Sequence, residues 1–192
     1  IKQFLKKEQK WYERHVKFTH NKKLEYLDIP FDMQKFEKKI KFKISYKQKF
    51  IEYSPLATKY LKTIIKKIKL NNGGILIIDY AYVEKEMKNT LQAVSKHKYC
   101  DVLEDFKNSD ITYNLSFDLI KKIIKKLGPC SFLYTTQKKF LTQLGILERA
   151  EIFSKNMAFS EKADIYFRIK RLIDEGQMGH LFKVLFITSH KN

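Results

Sequence analysis

The stretch Gly73-Gly74-Ile75-Leu76-Ile77-Ile78-Asp79-Tyr80 decides the fold of this chain. Four consecutive apolar residues, three of them isoleucine, follow a glycine pair and precede an acid and an aromatic ring. A short β-branched run of this kind predicts a strand buried on both faces, as in parallel sheets that are covered by helices. In open α/β sheets, ligands bind at the carboxyl ends of strands. We therefore expect Asp79 and Tyr80 to contact a substrate.

A long and mostly polar segment, residues 89–117, follows this strand. Loops of such length inside compact domains are usually functional, so the segment supplies further candidates for substrate binding. His97 could bind substrate or move a proton, because its ordinary pKa lies near neutrality. Asp101, Asp110 and Thr112 could line the same pocket.

Each candidate also has a structural interpretation. Asp79 can cap the next turn, and Tyr80 can be a core aromatic ring. A surface position accounts equally well for His97, and ordinary turns account for the two other acids and the threonine. A metal site built from His97, Cys100 and Asp101 would lack a fourth ligand and a CxxC pair, so we expect no metal.

The composition and charge of the chain limit the classes of protein to which it can belong. The 192 residues are 44% hydrophobic, enough for one domain with a core, and no apolar run reaches the length of a membrane span. The formal charge of +18 invites a nucleic-acid function, but only four of the 39 basic residues are arginine and the lysines are spread along the chain. Cys100 and Cys130 are expected to be reduced thiols, and the first residues do not resemble a signal peptide.

The first 50 residues favour antiparallel strands. Residues 11–19 are rich in strand-forming types, and Asp28–Asp32, which contains Pro30, is typical of a turn. Over residues 39–47, apolar and polar residues alternate with a period of two, which predicts a half-exposed strand. A meander or a pair of hairpins is the natural interpretation.

Beyond residue 54 the pattern becomes helical. Ser54 is a predicted N-cap before Pro55, and apolar residues from Leu56 to Ile68 fall on one helical face. Further helices are predicted after the caps Ser116 and Thr136 and over about residues 161–175, and residues 181–188 predict a final, central strand. The order of elements predicts an α/β fold, one half of a doubly wound sheet. The glycine pair precedes its strand, whereas a nucleotide-binding loop follows one, so we do not expect it to bind a cofactor.

A series of short motifs resembles the MidA family of S-adenosylmethionine-dependent methyltransferases. The motifs, in chain order, are Trp11 with Glu13-Arg14, Glu52 with Ser54-Pro55, Gly73–Tyr82, Thr90–Val94, His97-Lys98, Asp101–Leu103, Ser109–Thr112, Phe117, Thr136-Gln137, Phe140-Leu141, Leu144–Ile146, Arg149-Ala150, Met178-Gly179 and Phe182–Val184. The family includes a mitochondrial complex I assembly factor that acts as a protein arginine methyltransferase.

The resemblance implies the second half of a Rossmann-like methyltransferase sheet. Residues 1–192 would form one partial domain, with a β-rich insertion over about residues 1–50 and the C-terminal half of the fold over about 54–192. The family's glycine-rich donor loop would precede Ile1, so this chain would be a fragment, a split-gene product or a remnant. Ala81, Cys100 and Ser116 depart from the family pattern.

The resemblance also implies a function. We expect the substrate-side portion of a protein arginine methyltransferase, inactive without the donor-binding half and unable to bind S-adenosylmethionine alone. Its partners would be a protein substrate, whose arginine suits the acidic candidates, and a separate N-terminal half. The compartment would be the cytoplasm, or the mitochondrial matrix in a eukaryote. A non-enzymatic assembly module for a complex I subunit is the alternative, and a polyanion binder ranks last.

Overall fold

The computed structural model describes residues 1–104 and 106–189, which form two compact units. The first unit contains Ile1–Ile65 and Val83–Leu127, and the second contains Lys66–Tyr82 and the residues from Gly128 onward. The strands are β1 (Lys2–Lys7), β2 (Lys10–Phe18), β3 (Leu24–Pro30), β4 (Phe50–Tyr53), β5 (Gly74–Tyr82), β6 (Gln92–Ser95), β7 (Lys98–Cys100), β8 (Asp110–Thr112), β9 (Leu115–Ser116), β10 (Cys130–Thr136) and β11 (Phe182–Ser189). The helices are α1 (Met33–Ile40), α2 (Pro55–Leu70), α3 (Phe117–Lys126), α4 (Gln137–Gln143), α5 (Ile146–Ser154), α6 (Phe159–Ile173) and α7 (Met178–Leu181).

An antiparallel sheet with the order β3-β2-β1-β4 opens the first unit. The predicted β-rich hairpin region is therefore confirmed, including the strand over residues 11–19. Phe4 and Ile51, a register pair on β1 and β4, are fully buried. The ring of Phe4 packs against those of Phe31 and Phe36, with centroids 4.6 and 5.2 Å away, so the core of this sheet is aromatic.

The predicted strand over residues 39–47 is wrong, because the chain forms helix α1 up to Ile40 and irregular backbone after it. Asp32 caps the helix, and its Oδ1 accepts a hydrogen bond from the backbone nitrogen of Lys35 at 2.9 Å. Met33, Phe36 and Ile40 are spaced three and four residues apart, so they also fit one helical face. Ile40 thus belongs to a helical pattern as well as to the alternating one.

Helix α2 begins as predicted. The Ser54 Oγ accepts a hydrogen bond from the backbone nitrogen of Ala57 at 3.1 Å. Leu61, Ile65 and Ile68 are buried, whereas Leu56 and Tyr60, which were predicted on the same inward face, are exposed. The buried stripe is therefore narrower than the apolar pattern suggests.

The sheet of the second unit has the order β10-β11-β5, and β11 is antiparallel to both neighbours. The central position predicted for the last strand is confirmed. The prediction that β5 is buried on both faces in a parallel arrangement is wrong, since Leu76 and Ile78 are 46% and 44% exposed. Buried Leu185 and Ile187 of β11 lie on the other face, so only one side of the sheet is well covered.

Residues 89–117 do not form the long loop predicted from their polarity. They contain a three-stranded antiparallel sheet with the order β7-β6-β8, centred on the fully buried Ala93. Three- and four-residue strands are too short to show a periodic pattern, which is why the sequence conceals them.

Helices α3 and α4 begin after their predicted caps. The Ser116 Oγ accepts a hydrogen bond from the backbone nitrogen of Leu119 at 3.3 Å, and Thr136 Oγ1 accepts one from that of Lys139 at 3.2 Å. The helix predicted from residue 161 begins two residues earlier, at Phe159. None of the helices in the two described ranges is both long and apolar enough to cross a membrane.

Candidate functional site

Asp79 lies within β5, which continues to Tyr82, so the prediction that this acid ends the strand is wrong. Its Oδ1 accepts a hydrogen bond from the backbone nitrogen of Tyr80 at 2.8 Å. In the register of the sheet it faces Lys183 of β11. The carboxylate is half-buried, and one of its oxygens is engaged by the local backbone.

The Tyr80 ring packs against Phe182, with 4.2 Å between the ring centroids and 41° between the planes. Because successive side chains of a strand point to opposite faces, Tyr80 and Asp79 lie on different sides of the sheet. The structure therefore does not bring these two candidates together on one face.

His97 occupies the tip of the β6–β7 hairpin. Lys96 and His97 connect the register pair Ser95 and Lys98, and their φ angles of 49° and 63° are both positive. A two-residue turn with two positive φ angles is the type I′ geometry, which favours Asn and Gly. His97 is exposed, and its backbone forms the second half of this turn.

Asp101 lies at the other end of β7, where its Oδ1 accepts a hydrogen bond from the backbone nitrogen of Leu103 at 2.7 Å. Strand β7 lies between His97 and Asp101, so the two residues stand at opposite ends of this strand. In the part of the chain that the structure describes, no three His, Cys, Asp or Glu side chains are grouped so that they could hold a metal ion.

Asp110 and Thr112 lie on β8, opposite Val94 and Gln92 of β6. Their spacing of two places both side chains on one face of the small sheet. The Gln92 Nε2 donates a hydrogen bond to Thr112 Oγ1 at 3.2 Å, while Asp110 is exposed. The small sheet therefore presents these two candidates together, apart from Asp101.

A charged cluster adjoins Asp101 in the first unit. The Arg14 guanidinium lies 4.8 Å from the ring centroid of Tyr26, and its Nε donates a hydrogen bond to Asp28 at 3.2 Å. Burial raises the pKa of Tyr26, and the nearby Asp101 carboxylate raises it further, against the opposing effect of Arg14. Burial also acts to raise the pKa of Asp28, but hydrogen bonds from Lys7 and Arg14 outweigh it and lower that pKa.

Buried Glu52 was not recognised as a structural centre from the sequence. It is 5% exposed, and its Oε1 accepts hydrogen bonds from Gln3 Nε2 at 2.9 Å and from the backbone nitrogens of Thr90 and Leu91 at 3.1 Å each. Its Oε2 accepts a hydrogen bond from the Thr90 hydroxyl. A lone acid inside the apolar run Phe50–Tyr53 was the available signal, because buried carboxylates occur only with partners.

The network around Glu52 extends to two asparagines. Gln3 Nε2 also donates a hydrogen bond to Asn89 Oδ1 at 3.0 Å, and Thr90 Oγ1 accepts one from the backbone nitrogen of Asn114 at 3.0 Å. The network thus ties both flanks of the β6–β8 sheet to the first strand of the chain. It fixes the base of the segment that carries four of the six predicted substrate residues.

A family profile described as "Putative S-adenosyl-L-methionine-dependent methyltransferase" matches residues 1–135 of the chain. The chain belongs to this family. The MidA relationship predicted from the motifs is thereby confirmed. The chain is 25% identical over 141 residues to "Protein arginine methyltransferase NDUFAF7, mitochondrial" of Xenopus laevis. That alignment covers 73% of this chain but only 32% of the relative. The chain therefore spans about a third of the relative's length.

Two crystal structures from Burkholderia thailandensis share the fold of this family member. An uncharacterised protein matches 97% of the chain with a TM-score of 0.76 and 23% identity, and 51% of that protein is covered. A second structure, bound to S-adenosyl-homocysteine, matches with a TM-score of 0.75 over 49% of its length. The predicted fold class, the second half of a Rossmann-like methyltransferase sheet, is confirmed.

The described strand-to-helix turns of this family member do not fit a methyl-donor loop. Such a loop requires glycines between a strand and the helix that follows it. The connections into α2, α3 and α4 contain no glycine. Gly73 precedes β5 and Gly74 is its first residue, so neither follows a strand. None of these connections therefore has the glycine pattern of such a loop, and we assign no described residue to the binding of S-adenosylmethionine.

Proposed function

We propose that the chain is the C-terminal, substrate-side portion of a protein arginine methyltransferase and that it is inactive without a donor-binding portion. It would act as a single partial domain, with the β-rich insertion over about its first 50 residues. S-adenosylmethionine would bind to the complementary portion and would not bind to this chain alone.

The main structural support for this proposal is the β10-β11-β5 sheet. Its antiparallel central strand is part of the fold shared with the S-adenosyl-homocysteine-bound structure, of which the chain covers about half. The half-exposed Leu76 and Ile78 leave one face of β5 incompletely covered. Helices of a complementary portion that pack on this face would bury such a surface.

The substrate class is proposed from the relatives and from the charge of the candidates. The Xenopus relative is named a protein arginine methyltransferase. A guanidinium group forms bidentate hydrogen bonds with carboxylates, so Asp79, Asp101 or Asp110 could bind it. Tyr80, His97 and Thr112 are the other proposed substrate-binding residues. These residues would orient the nucleophile and exclude water, which are the main requirements of methyl transfer.

Calorimetric titration tests the proposal. S-adenosylmethionine is titrated into the chain alone and into its mixture with the polypeptide encoded directly upstream. Labelled methyl transfer to arginine-containing proteins is then measured in the same mixture. We expect binding and transfer only in the mixture.

Two results would contradict the proposal in different ways. Binding to the chain alone would place the donor site within it. If the chain is folded and neither sample binds S-adenosylmethionine, the chain is not a portion of a methyltransferase. That result would favour the second candidate function, which is described next.

The second candidate is a non-enzymatic assembly module that binds a respiratory complex I subunit. The observation that favours it is the apolar surface of the second unit, where Ile152, Phe153, Phe159 and Phe167 are each more than 60% exposed. Exposed apolar patches of this kind mark protein contacts. With either function, we place the chain in the cytoplasm of a bacterium or in the mitochondrial matrix of a eukaryote.

A further inference from the structure

A concave pocket of about 470 Å³ lies within the first unit, and none of the predicted substrate residues lines it. The end of α1, strand β4, helix α2 and helix α3 each contribute to its wall. Its volume is within the range of small-molecule binding sites. The pocket is lined by Lys39, Ile40, Lys41, Phe42, Tyr53, Thr58, Lys62, Ile123, Lys126 and Leu127.

Four lysines converge on this pocket, and its lining contains no acid. Lys39 and Lys41 come from the end of α1, Lys62 from α2 and Lys126 from α3. Within the described residues, none of the four forms an ion pair with a carboxylate. Four like charges around one cavity repel each other unless an anion occupies it.

Some other lysines of this unit are neutralised. Lys7 lies 2.9 Å from an oxygen of Asp28, and Lys122 lies 2.5 Å from an oxygen of Asp118. What distinguishes the pocket is that four unneutralised lysines line a single cavity.

Lys126 is held at the pocket by neutral groups. Its Nζ donates a hydrogen bond to the carbonyl oxygen of Lys41 and lies 5.1 Å from the centroid of the Phe42 ring. These contacts orient the ammonium group without cancelling its charge. The position of one cation is thereby fixed before any ligand arrives.

Apart from Thr58, the remaining wall consists of apolar and aromatic side chains. Tyr53 and Ile123 are 6% and 8% exposed, and Ile40, Phe42 and Leu127 complete this surface. A ligand that fits both surfaces has a multiply charged anionic group and an apolar or aromatic body. Lysine ammonium groups bind phosphate as compact point charges, without the bidentate geometry that arginine provides.

We propose that this pocket binds an organic phosphate, with the phosphate groups held by the four lysines and the apolar body on the Phe42 side. The phosphate could belong to a free nucleotide or to a lipid headgroup. This site is independent of the proposed methyltransferase function, because it requires neither the donor nor the predicted substrate residues.

The test uses ATP as the probe, titrated calorimetrically into the full 192-residue chain. The variant Lys62→Gln/Lys126→Gln removes one pocket charge from α2 and one from α3. The matched control Lys59→Gln/Lys125→Gln removes exposed charges from the same two helices outside the pocket. We expect the pocket variant to bind ATP about 10-fold more weakly and the control to stay within about 2-fold of the parent chain.

Two further ligands test whether the phosphate is required and whether it belongs to a nucleotide or to a lipid headgroup. Adenosine, which lacks phosphate, is expected not to bind. If ATP also fails to bind, vesicles containing phosphatidic acid are compared with phosphatidylcholine vesicles, and binding that only the pocket variant loses assigns the phosphate to a lipid.

Equal losses in the two double variants would overturn the proposal, since diffuse surface charge would then explain the binding. Adenosine binding as tightly as ATP would overturn it too, as would the absence of binding to both ATP and phosphatidic acid. If melting curves show that loss of Lys126 unfolds the chain, Lys39→Gln/Lys62→Gln replaces that variant and leaves the contact between Lys126 and Lys41 intact.

Discussion

The Oε1 atom of Glu52 lies 3.1 Å from the backbone nitrogen of Thr90, across 38 residues of chain. This carboxylate is buried and accepts further hydrogen bonds from Leu91 and Gln3. One acid on β4 thus determines where the β6–β8 sheet begins. The candidate substrate residues of that sheet depend on it for their position through Thr90 and Leu91.

Replacement of Glu52 is expected to destabilise the chain. In Glu52→Ala, several buried donors lose their acceptor, so the free energy of unfolding should fall by about 2–4 kcal/mol. Glu52→Gln keeps one carbonyl oxygen and should cost less. Urea denaturation measures both values, with Glu86→Gln at an exposed position as the control. Equal stability of Glu52→Ala and the parent chain would show that the network contributes nothing.

Asp28 should make stability depend on acid pH. Its pKa in the folded chain is below the ordinary value of 3.8, because Lys7 and Arg14 stabilise the charged form. The unfolded chain therefore binds the proton first, and the stabilisation, complete above pH 3.8, is lost as the pH falls through the folded pKa. Asp28→Asn should flatten the stability profile below about pH 4.

Melting temperatures between pH 2 and 6 measure this effect. Asp164→Asn, at an exposed position on α6, is the control and should keep the slope of the parent chain. A profile of Asp28→Asn that is as steep as that of the parent would contradict the assigned cause.

The hairpin tip offers a stabilising substitution. His97 has a φ angle of 63°, which glycine adopts without the steric cost of a Cβ atom. His97→Gly should therefore raise the free energy of unfolding by about 0.5–1 kcal/mol. The control His15→Gly, at an exposed position on strand β2, should be destabilising because glycine weakens a strand. A loss of stability in His97→Gly would mean that the imidazole makes a contact that the turn requires.

Asp79 can be tested in the assembled enzyme that we propose. In Asp79→Asn, the amide oxygen can still accept the hydrogen bond from the backbone of Tyr80, so the fold should persist. Loss of the charge should raise KM for an arginine-containing substrate about 10-fold and leave the affinity for S-adenosylmethionine unchanged. Unchanged KM would remove Asp79 from the substrate-binding residues, and Asp164→Asn again provides the control.

Local signals were sufficient for much of the fold. Ser54, Ser116 and Thr136 each act as the predicted N-cap, because a cap is decided by residues two or three positions away. The apolar run Leu181–Thr188 was recognised as a central strand for a similar reason, since its composition alone indicates burial.

The candidate site was less accessible to sequence reasoning. Asp79 was expected at a strand end, yet β5 pairs with β11 as far as Tyr80 and continues to Tyr82. His97 and Asp101 are only four residues apart in the sequence, but the strand between them holds them at opposite ends. In both cases, pairing with another strand determines where the backbone is extended.

The sequence by itself determined the family, the α/β class, the capped helices and the N-terminal hairpins, because motifs, caps and apolar periodicity are encoded in neighbouring residues. Only the tertiary structure decided that residues 33–40 form a helix, that β11 is antiparallel to β5, and that Glu52 anchors the β6–β8 sheet. These features depend on contacts between residues far apart in the chain. The free energy of burying an acid or pairing a short strand is set by those contacts and leaves no periodic trace in the sequence.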